Sequence, residues 1–380
     1  MSRALQYYEF FAGGGMARLG LEGGSGAAWT CAFANDFDPV KAATYRANFA
    51  DAAHHFHQGD VWKINPADLP GRADLAWASS PCQDFSLAGA RAGLEGGRSS
   101  AFFGFWRLVE ALGAQGRAPR AVVIENVVGL FSSHGGADFT ALCRALADQG
   151  YRFGALEIDA ERFTPQSRPR VFVIATREPI PPGLVGDSPF QTRRVAEARA
   201  RLPADLADLW IPWRVDAPAA RNADLASQLE PDAAWHAPAR TQGLLALMAP
   251  LHRARVEALR QSGGRAVGGV FRRMRSERGR KVQRAEARFD GLAGCLRTPR
   301  GGSSRQTLLV IDRGEVRSRL ITPREGARLM GLPDTYVLPE AATSALHVIG
   351  DGVAVPVVRW LADQVLEPLL APQVRAVAAA

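Results

Sequence analysis

The residues best placed to do chemistry are a thiol and a carboxylate. Cys82 sits in Ser80-Pro81-Cys82-Gln83, just beyond the apolar run 74–78. A tight turn after a buried strand is where an α/β enzyme presents a nucleophile. Glu125 leaves a second apolar run, 121–124, at the head of Glu125-Asn126-Val127. If both strands end on one sheet edge, the thiol and the acid meet over one substrate. A lone cysteine after a strand is more often packing than nucleophile, because free Cys behaves as a small hydrophobe. The rest of the chain has to decide.

The elements that would position the pair are legible in the apolar rhythm. Short β-rich runs at 7–11, 29–34, 74–78, 121–124 and 171–175 alternate with helical stretches at 39–49, 102–112 and 139–149. Such alternation predicts an α/β fold, a mostly parallel sheet covered on both faces. Beyond Arg177, Pro179, Pro181, Pro182 and Pro189 break the rhythm, and an Arg/Gly-rich region runs to Arg319. The expected organisation is a catalytic, cofactor-binding domain over 1–178 and a smaller second domain over 179–321. A segment over 322–380 then returns to the first domain through helices at 323–330 and 353–370, with a frayed Ala-rich tail after Pro372.

Composition narrows the class. Cys31, Cys82, Cys143 and Cys295 are scattered over 380 residues without a C-x-x-C pair, so neither a disulfide framework nor a zinc site is expected. His54, His55 and His57 lack a further ligand pair and read as surface histidines rather than a metal site. The N-terminus has no apolar signal core, and no apolar run approaches the roughly 18 residues needed to span a bilayer. A soluble cytoplasmic protein is expected. The net charge is +8, and it is unevenly placed: Arg240 to Arg319 holds 19 Arg and Lys against 6 Asp and Glu. All but one of those cations are Arg, whose planar fork matches phosphates and guanine edges, so a nucleic-acid surface is expected there.

A cofactor site is also written in the strand ends. The first strand runs into Phe11-Ala12-Gly13-Gly14-Gly15, where glycines let a ligand approach the backbone at a helix N-terminus. The second ends in Asn35-Asp36-Phe37-Asp38, with an acid suited to two ribose hydroxyls. Gly59-Asp60-Val61 supplies a further strand-end acid, placed to accept from an adenine amino group. Together they describe an adenosine-containing cofactor.

Read in order, these segments continue with Gln166-Ser167-Arg168-Pro169-Arg170, Pro-Arg-Glu-Gly-Ala-Arg-Leu-Met-Gly over 323–331, and Gly-Asp-Gly-Val-Ala over 350–354. The chain resembles the DNA cytosine-5 methyltransferases of bacterial or phage type over nearly its whole length. The resemblance implies a Rossmann-like class I methyltransferase sheet, an inserted target-recognition domain, S-adenosylmethionine as methyl donor and double-stranded DNA as substrate. It implies that Cys82 adds to C6 of a flipped-out cytosine while Glu125 serves N3 and the exocyclic amine. Arg168 and Arg170, two apart on a strand and so on one face, would hold O2 and orient Glu125. Cofactor contacts are implied at Phe11, Ala12, Gly13, Gly15, Asp36, Phe37, Asp60, Val61, Pro81, Ala101, Asp351, Gly352 and Val353. DNA contacts are implied at Gln83, at Arg91 and Arg98 in a Gly-rich closing loop over 84–100, and in the Arg-rich insert. There Arg272, Arg273 and Arg275 would meet phosphates, while Arg297, Arg300, Gly301 and Gly302 would belong to a strand and Gly-rich recognition loop over 291–302.

Two positions depart from the family pattern. Asp36 stands where Glu is usual, and Asp351-Gly352 stands where Asn is followed by Ser or Ala. Asp351 would either favour the sulfonium charge or cap the following helix. Two other functions share these residues: an RNA cytosine-5 methyltransferase, against which the long Arg-rich insert speaks, and a DNA-binding protein without catalysis, against which the presence of both Cys82 and Glu125 speaks. A monomer is expected, with a cognate restriction endonuclease as a possible companion.

Overall fold

The computed structural model describes residues 3–80, 101–277, 279–297 and 305–371. Pro81, Cys82, Gln83, Arg91, Arg98, Arg300, Gly301 and Gly302 lie outside these residues.

Two compact units divide the chain. The first comprises Met1–Asp159, Pro169–Pro218 and Val355–Ala380; the second comprises Ala160–Arg168 and Ala219–Ala354. The expected boundaries shift accordingly. The proline-rich break does not end the first unit, because the chain after it lies back along the sheet: Ile211 donates to the Phe153 carbonyl at 2.6 Å, and Trp210 and Trp213 are buried. Residues 322–354 likewise belong to the second unit.

The first unit is built on a seven-stranded sheet in the order β3-β2-β1-β4-β5-β7-β6. Its strands are β1 (Leu5–Phe10), β2 (Trp29–Asp36), β3 (Phe56–Gln58), β4 (Leu75–Ala78), β5 (Ala121–Val127), β6 (Arg152–Asp159) and β7 (Pro169–Thr176). β1 to β5 pair in parallel, and β7 runs antiparallel to both β5 and β6. β4 is buried at every residue and β5 at all but the last, as strands covered on both faces must be. Helices α1 (Met16–Glu22), α2 (Pro39–Asn48), α3 (Ala101–Ala114), α4 (Ala137–Asp148) and α5 (Arg193–Ala200) follow in chain order. Phe102, Phe105, Trp106, Leu108 and Leu112 recur along α3 at helical spacing and join Phe10, Phe33, Val122 and Ile124 in one core.

The second unit carries a four-stranded sheet, order β11-β10-β8-β9, made of β8 (Ala266–Glu277), β9 (Arg280–Arg288), β10 (Thr307–Asp312) and β11 (Glu315–Leu320). Every pairing is antiparallel. Leu244 and Met248 beside α6 (Pro238–Ala246), with Val256 of α7 (Pro250–Gln261), cover Val270, Ala285, Ala287, Leu309 and Ile311. α8 (Pro323–Leu329) begins at Thr322, which accepts from Glu325 N while the Glu325 carboxylate accepts from Thr322 N. That carboxylate also accepts from Arg319, and both side chains are fully buried, so the pair anchors the helix to β11. Of 291–302, expected to hold a strand and a Gly-rich loop, the described residues 291–297 form no strand, and Ala293 makes an isolated bridge to Gln166.

α9 (Ala342–Asp351) and α10 (Val355–Leu361) correct one further expectation. The stretch Ala342–Leu370 is long and apolar enough to cross a bilayer by length and composition. It is broken at Gly352, whose backbone is extended, and most of it is buried within the protein. α10 packs on α1 at Gly20, where a Cβ would meet Val358 Cβ at 2.5 Å.

Candidate active site

The catalytic edge is assembled from strand ends. Glu125 is 6% exposed at the end of β5. In the antiparallel register Glu125 faces Phe172 and Val127 faces Arg170, which makes Arg170 the diagonal neighbour on the same face. Its Nε lies 3.1 Å from Glu125 Oε1. A charge-assisted contact of this kind fixes the carboxylate.

Asn126, one residue on, carries out a task that sequence reasoning did not assign to it. Its Nδ2 donates to the Ser80 carbonyl at 3.1 Å and its Oδ1 accepts from Val127 N at 2.8 Å. Ser80 is buried at the end of β4 and leads directly into Pro81-Cys82. One strand end thus holds both the carboxylate and the approach to the thiol. Elsewhere, burial pushes the Cys31 and Cys143 thiols up, which keeps them protonated and inert.

Arg168 stands apart from Arg170. It precedes β7 rather than standing on it, is 2% exposed, and belongs to the second unit. Nη1 donates to the Leu296 carbonyl at 3.0 Å and to Cys295 Sγ, while Nη2 donates to the carbonyls of Gly350 at 2.9 Å and Gly352 at 2.7 Å. Its guanidinium is held by these carbonyls and the Cys295 thiol, and Arg170 is the arginine seen to meet Glu125. Gln166 works beside Arg168: Nε2 donates to the Leu329 carbonyl at 2.9 Å, and Oε1 accepts from Leu296 N at 3.0 Å. The two side chains tie 295–296 to α8 and to the end of α9. Neither role had a signal in spacing, because each partner lies more than a hundred residues away.

The candidate cofactor edge lies at the ends of β1, β2 and β3. Phe11 leaves β1 with φ +57, a conformation rare for a non-glycine residue and typical of functional turns. Ala12 donates to the Asn35 carbonyl at 3.0 Å, and Gly13 and Gly15 are left-handed. A Cβ on Gly15 would meet the Phe49 ring at 2.3 Å. Asp36, 4% exposed, accepts from Gly13 N at 2.8 Å and Asp38 N at 2.9 Å. Burial pushes its carboxyl up, against Lys41 and these two amides. The shorter acid therefore holds the glycine turn, and its remaining lone pairs are what a ribose could use. Phe37 is 66% exposed, an aromatic ring open to stacking. Asp60 accepts from Trp62 N at 3.0 Å, capping the turn Val61–Lys63. Val61 is buried against α3 at Gly104, near Ala101 at the start of that helix.

Asp351 ends α9 with Oδ2 3.4 Å from His347 Nε2. Gly352 follows, and Val353 is buried. The acid thus belongs to the helix it ends.

The insert's arginines do not form one patch. Arg272 stands on one face of β8, whereas Arg273 and Arg275 share the other and both reach Glu286. Arg297 is exposed.

Comparison with known proteins agrees with this geometry. The family model of C-5 cytosine-specific DNA methylase matches residues 5–367. The Type II methyltransferase M.HpaII of Haemophilus parainfluenzae is 26% identical over 96% of this chain and 89% of its own length. M.HhaI of Haemophilus parahaemolyticus is 26% identical over 94% of this chain and 93% of its own. Among solved structures, S. pombe Dnmt2 methyltransferase superposes with a TM-score of 0.57 at 16% identity, covering 97% of this chain and 99% of that one. Entamoeba histolytica EhMeth gives 0.59 at 13%, covering 97% and 100%. The glycine turn, the buried Asp36 and the open Phe37 ring fit the adenosine-bearing donor of the family. The chain belongs to the C-5 cytosine-specific DNA methylases and uses S-adenosylmethionine to methylate cytosine at C5.

Proposed function

We propose that Cys82 is the nucleophile and Glu125 the electrophilic partner of this DNA cytosine-5 methyltransferase. Cytosine C5 is a poor nucleophile, and addition of the Cys82 thiolate at C6 makes it an enamine-like carbon. Electron density then moves toward N3, where Glu125 holds or supplies a proton and accepts from the exocyclic amine. S-adenosylmethionine supplies the electrophilic methyl group. Loss of the C5 proton then expels the thiol. The observation that carries this reading is the placement of Glu125 and its neighbour Asn126, the first paired to Arg170 and the second clamping Ser80.

On this reading Arg170 orients Glu125, and Arg168 positions the segment before the recognition loop. Phe37 stacks on the adenine, while Asp36 and Asp60 serve the ribose and adenine through the lone pairs their backbone contacts leave. The base is flipped from duplex DNA, since C6 is stacked within it. Thiol and carboxylate come from one chain, so it acts as a monomer, in the cytoplasm. The Type II names of its relatives support a cognate restriction endonuclease as companion.

Bisulfite sequencing of DNA from cells expressing the wild type, Cys82→Ala and Glu125→Gln tests the reading. Wild type should give 5-methylcytosine at one short sequence and both variants none. Methylation by Cys82→Ala would remove the thiol from the mechanism.

A further inference from the structure

Beneath the glycine turn the first unit buries a cation that the chemistry does not use. Arg18, in the first turn of α1, is 5% exposed. Each nitrogen of its fork is engaged. Nε donates to Glu22 Oε2 at 3.0 Å, Nη1 to His55 Nε2 at 2.8 Å and Tyr45 Oη at 3.3 Å, and Nη2 to the two Asp51 carboxylate oxygens at 2.9 and 2.8 Å. The guanidinium also lies 4.2 Å from the centre of the Phe49 ring.

These partners come from separate elements of the first unit. Glu22 is one turn along α1, Tyr45 stands in α2, Phe49 directly follows that helix, and Asp51 and His55 lie in the connection to β3. The same elements carry the three candidate donor segments: α1 follows the glycine turn, α2 follows Asp36-Phe37-Asp38, and β3 leads into Gly59-Asp60-Val61. The link to the glycine turn is direct, because left-handed Gly15 rests on the Phe49 ring that Arg18 stacks against. A buried ion pair is a poor source of stability, since apolar residues of like volume do as well, but it fixes the placement of what it holds.

His55 sets a condition on this grip. Arginine only donates, so His55 Nε2 accepts and the ring is neutral. Burial, and then the Arg18 charge, hold its pKa below the ordinary 6.5. Arg18 faces it from α1, Tyr45 from α2, and His54, His57 and Asp51 from its own connection and β3; Asp51 Oδ2 lies 4.0 Å from Nδ1. A protonated ring would set a second cation against the guanidinium and lose the acceptor.

We propose that Arg18 is the positioning residue of the methyl-donor site, holding the glycine turn, the start of α2 and the residues after β3 in the spacing that S-adenosylmethionine requires, with neutral His55 as a condition of that hold. The proposal rests on the donor reading of these strand ends and deepens it. Arg18 itself touches no donor; it acts through Phe49 and through the elements it ties.

Isothermal titration of the full-length protein with S-adenosylmethionine, at about pH 7.5 and about pH 5.5, tests it, with a melting temperature taken for each variant. Arg18→Ala should weaken donor binding about tenfold or more. Arg18→Lys should recover melting temperature more than affinity, since an ammonium can pair with Asp51 but cannot span three elements. Arg120→Gln breaks the 3.0 Å contact with Asp74 at the opposite end of the sheet, and should lower the melting temperature with affinity unchanged within about twofold. Wild type should bind about threefold or more weakly at the lower pH, because a group with a lowered pKa gains its proton only as pH falls below the ordinary value. His55→Gln, which keeps an acceptor but takes no proton, should match wild type at the higher pH and lose less affinity at the lower. Glu9 and Asp36 are present in both proteins, so the difference between them belongs to His55.

Equal loss of affinity for equal loss of melting temperature in Arg18→Ala and Arg120→Gln would overturn the positioning role, as would an unaltered pH dependence in His55→Gln. Should Arg18→Ala not fold, Asp51→Asn decides, since Asp51 is half exposed and its loss should cost about threefold in affinity; an unchanged affinity overturns the proposal. Asp36→Ala separates the two readings. If it weakens binding and Arg18→Ala does not, the positioning role alone falls; if it leaves binding unchanged, the donor site itself is misplaced and both fall.

Discussion

The strand ends of the large sheet and the β8–β9 hairpin of the small one handle charge in opposite ways. At the large sheet's edge charged groups are few, buried and individually held: Glu125 by Arg170, and Asp36 by the amides of Gly13 and Asp38. On the hairpin they are many and exposed, and one face lacks carboxylates altogether. In a low-dielectric pocket one well-aimed charge matters greatly and its geometry must be fixed. Against a polyanion in water the number and placement of cations matter more than any single geometry. Chemistry and recognition are therefore expected to fail differently when residues are changed.

The largest failure should come from the thiol. Cys82→Ala should lower methyl incorporation by about 10³-fold or more while leaving DNA affinity within about threefold, because the thiol forms the bond and few ground-state contacts. Comparable losses of activity and DNA binding would break the contrast between chemistry and recognition.

The carboxylate should follow. Glu125→Gln should depress kcat about 10²- to 10³-fold with KM for S-adenosylmethionine within about twofold, since Glu125 faces only the developing charge. Arg170→Ala should cost about tenfold in kcat through loss of the 3.1 Å contact. A steady-state analysis that showed a change in KM alone for either variant would misplace the pair.

Cofactor residues should show the converse pattern. Asp36→Ala frees the Gly13 amide and should raise KM for S-adenosylmethionine about tenfold; Asp60→Ala, which loses a cap on an exposed turn, should raise it about threefold. Isothermal titration with S-adenosylmethionine separates these variants from Glu125→Gln.

The smallest effect concerns stability. Glu9, on β1 beneath the glycine turn, is fully buried with Oε2 unpartnered, and burial pushes its carboxyl up to about 8 from an ordinary 4.5. Between those values the folded chain keeps a proton that the unfolded chain has released. Stability contributed by the neutral acid is therefore complete below the lower value and falls as pH rises through the window, by up to about 1.4 kcal/mol per unit. Melting temperatures of Glu9→Gln across the range should fall less with pH than those of the wild type. Parallel curves would show that Glu9 is ionised.

How far the sequence carried this account depended on locality. The strand-end placement of Glu125 and Asp36 was legible because each closes a largely apolar run, and a run that ends in an acid says where the side chain emerges. The ends of α2 and α3 were legible for a related reason, their apolar periodicity. The tasks of Asn126, Gln166 and Arg168 were not, because they grip backbone atoms of Ser80, Leu296, Leu329, Gly350 and Gly352, which no periodicity in their own segments reveals. Nor was the split between Arg272 and its neighbours Arg273 and Arg275: it follows from strand alternation, but only once 266–277 is known to be a strand paired with 280–288. Asp351 illustrates a different limit. As a departure from a family pattern it suggested a cofactor effect, and nothing in its own segment announced the contact with His347 one turn earlier on the same helix.

The central claim is that Cys82 bonds to C6 while Glu125 supports the ring, and a duplex carrying 5-fluorocytosine at the methylated position tests it most directly. The C5 fluorine cannot leave as a proton, so the adduct should persist. With S-adenosylmethionine present, wild type should migrate as a DNA-linked species on a denaturing gel. Peptide mapping should place the link at Cys82, and Cys82→Ala should give no such species. A wild-type enzyme that methylates ordinary cytosine in the same duplex yet forms no denaturation-resistant complex, or forms one at another residue, would contradict the account.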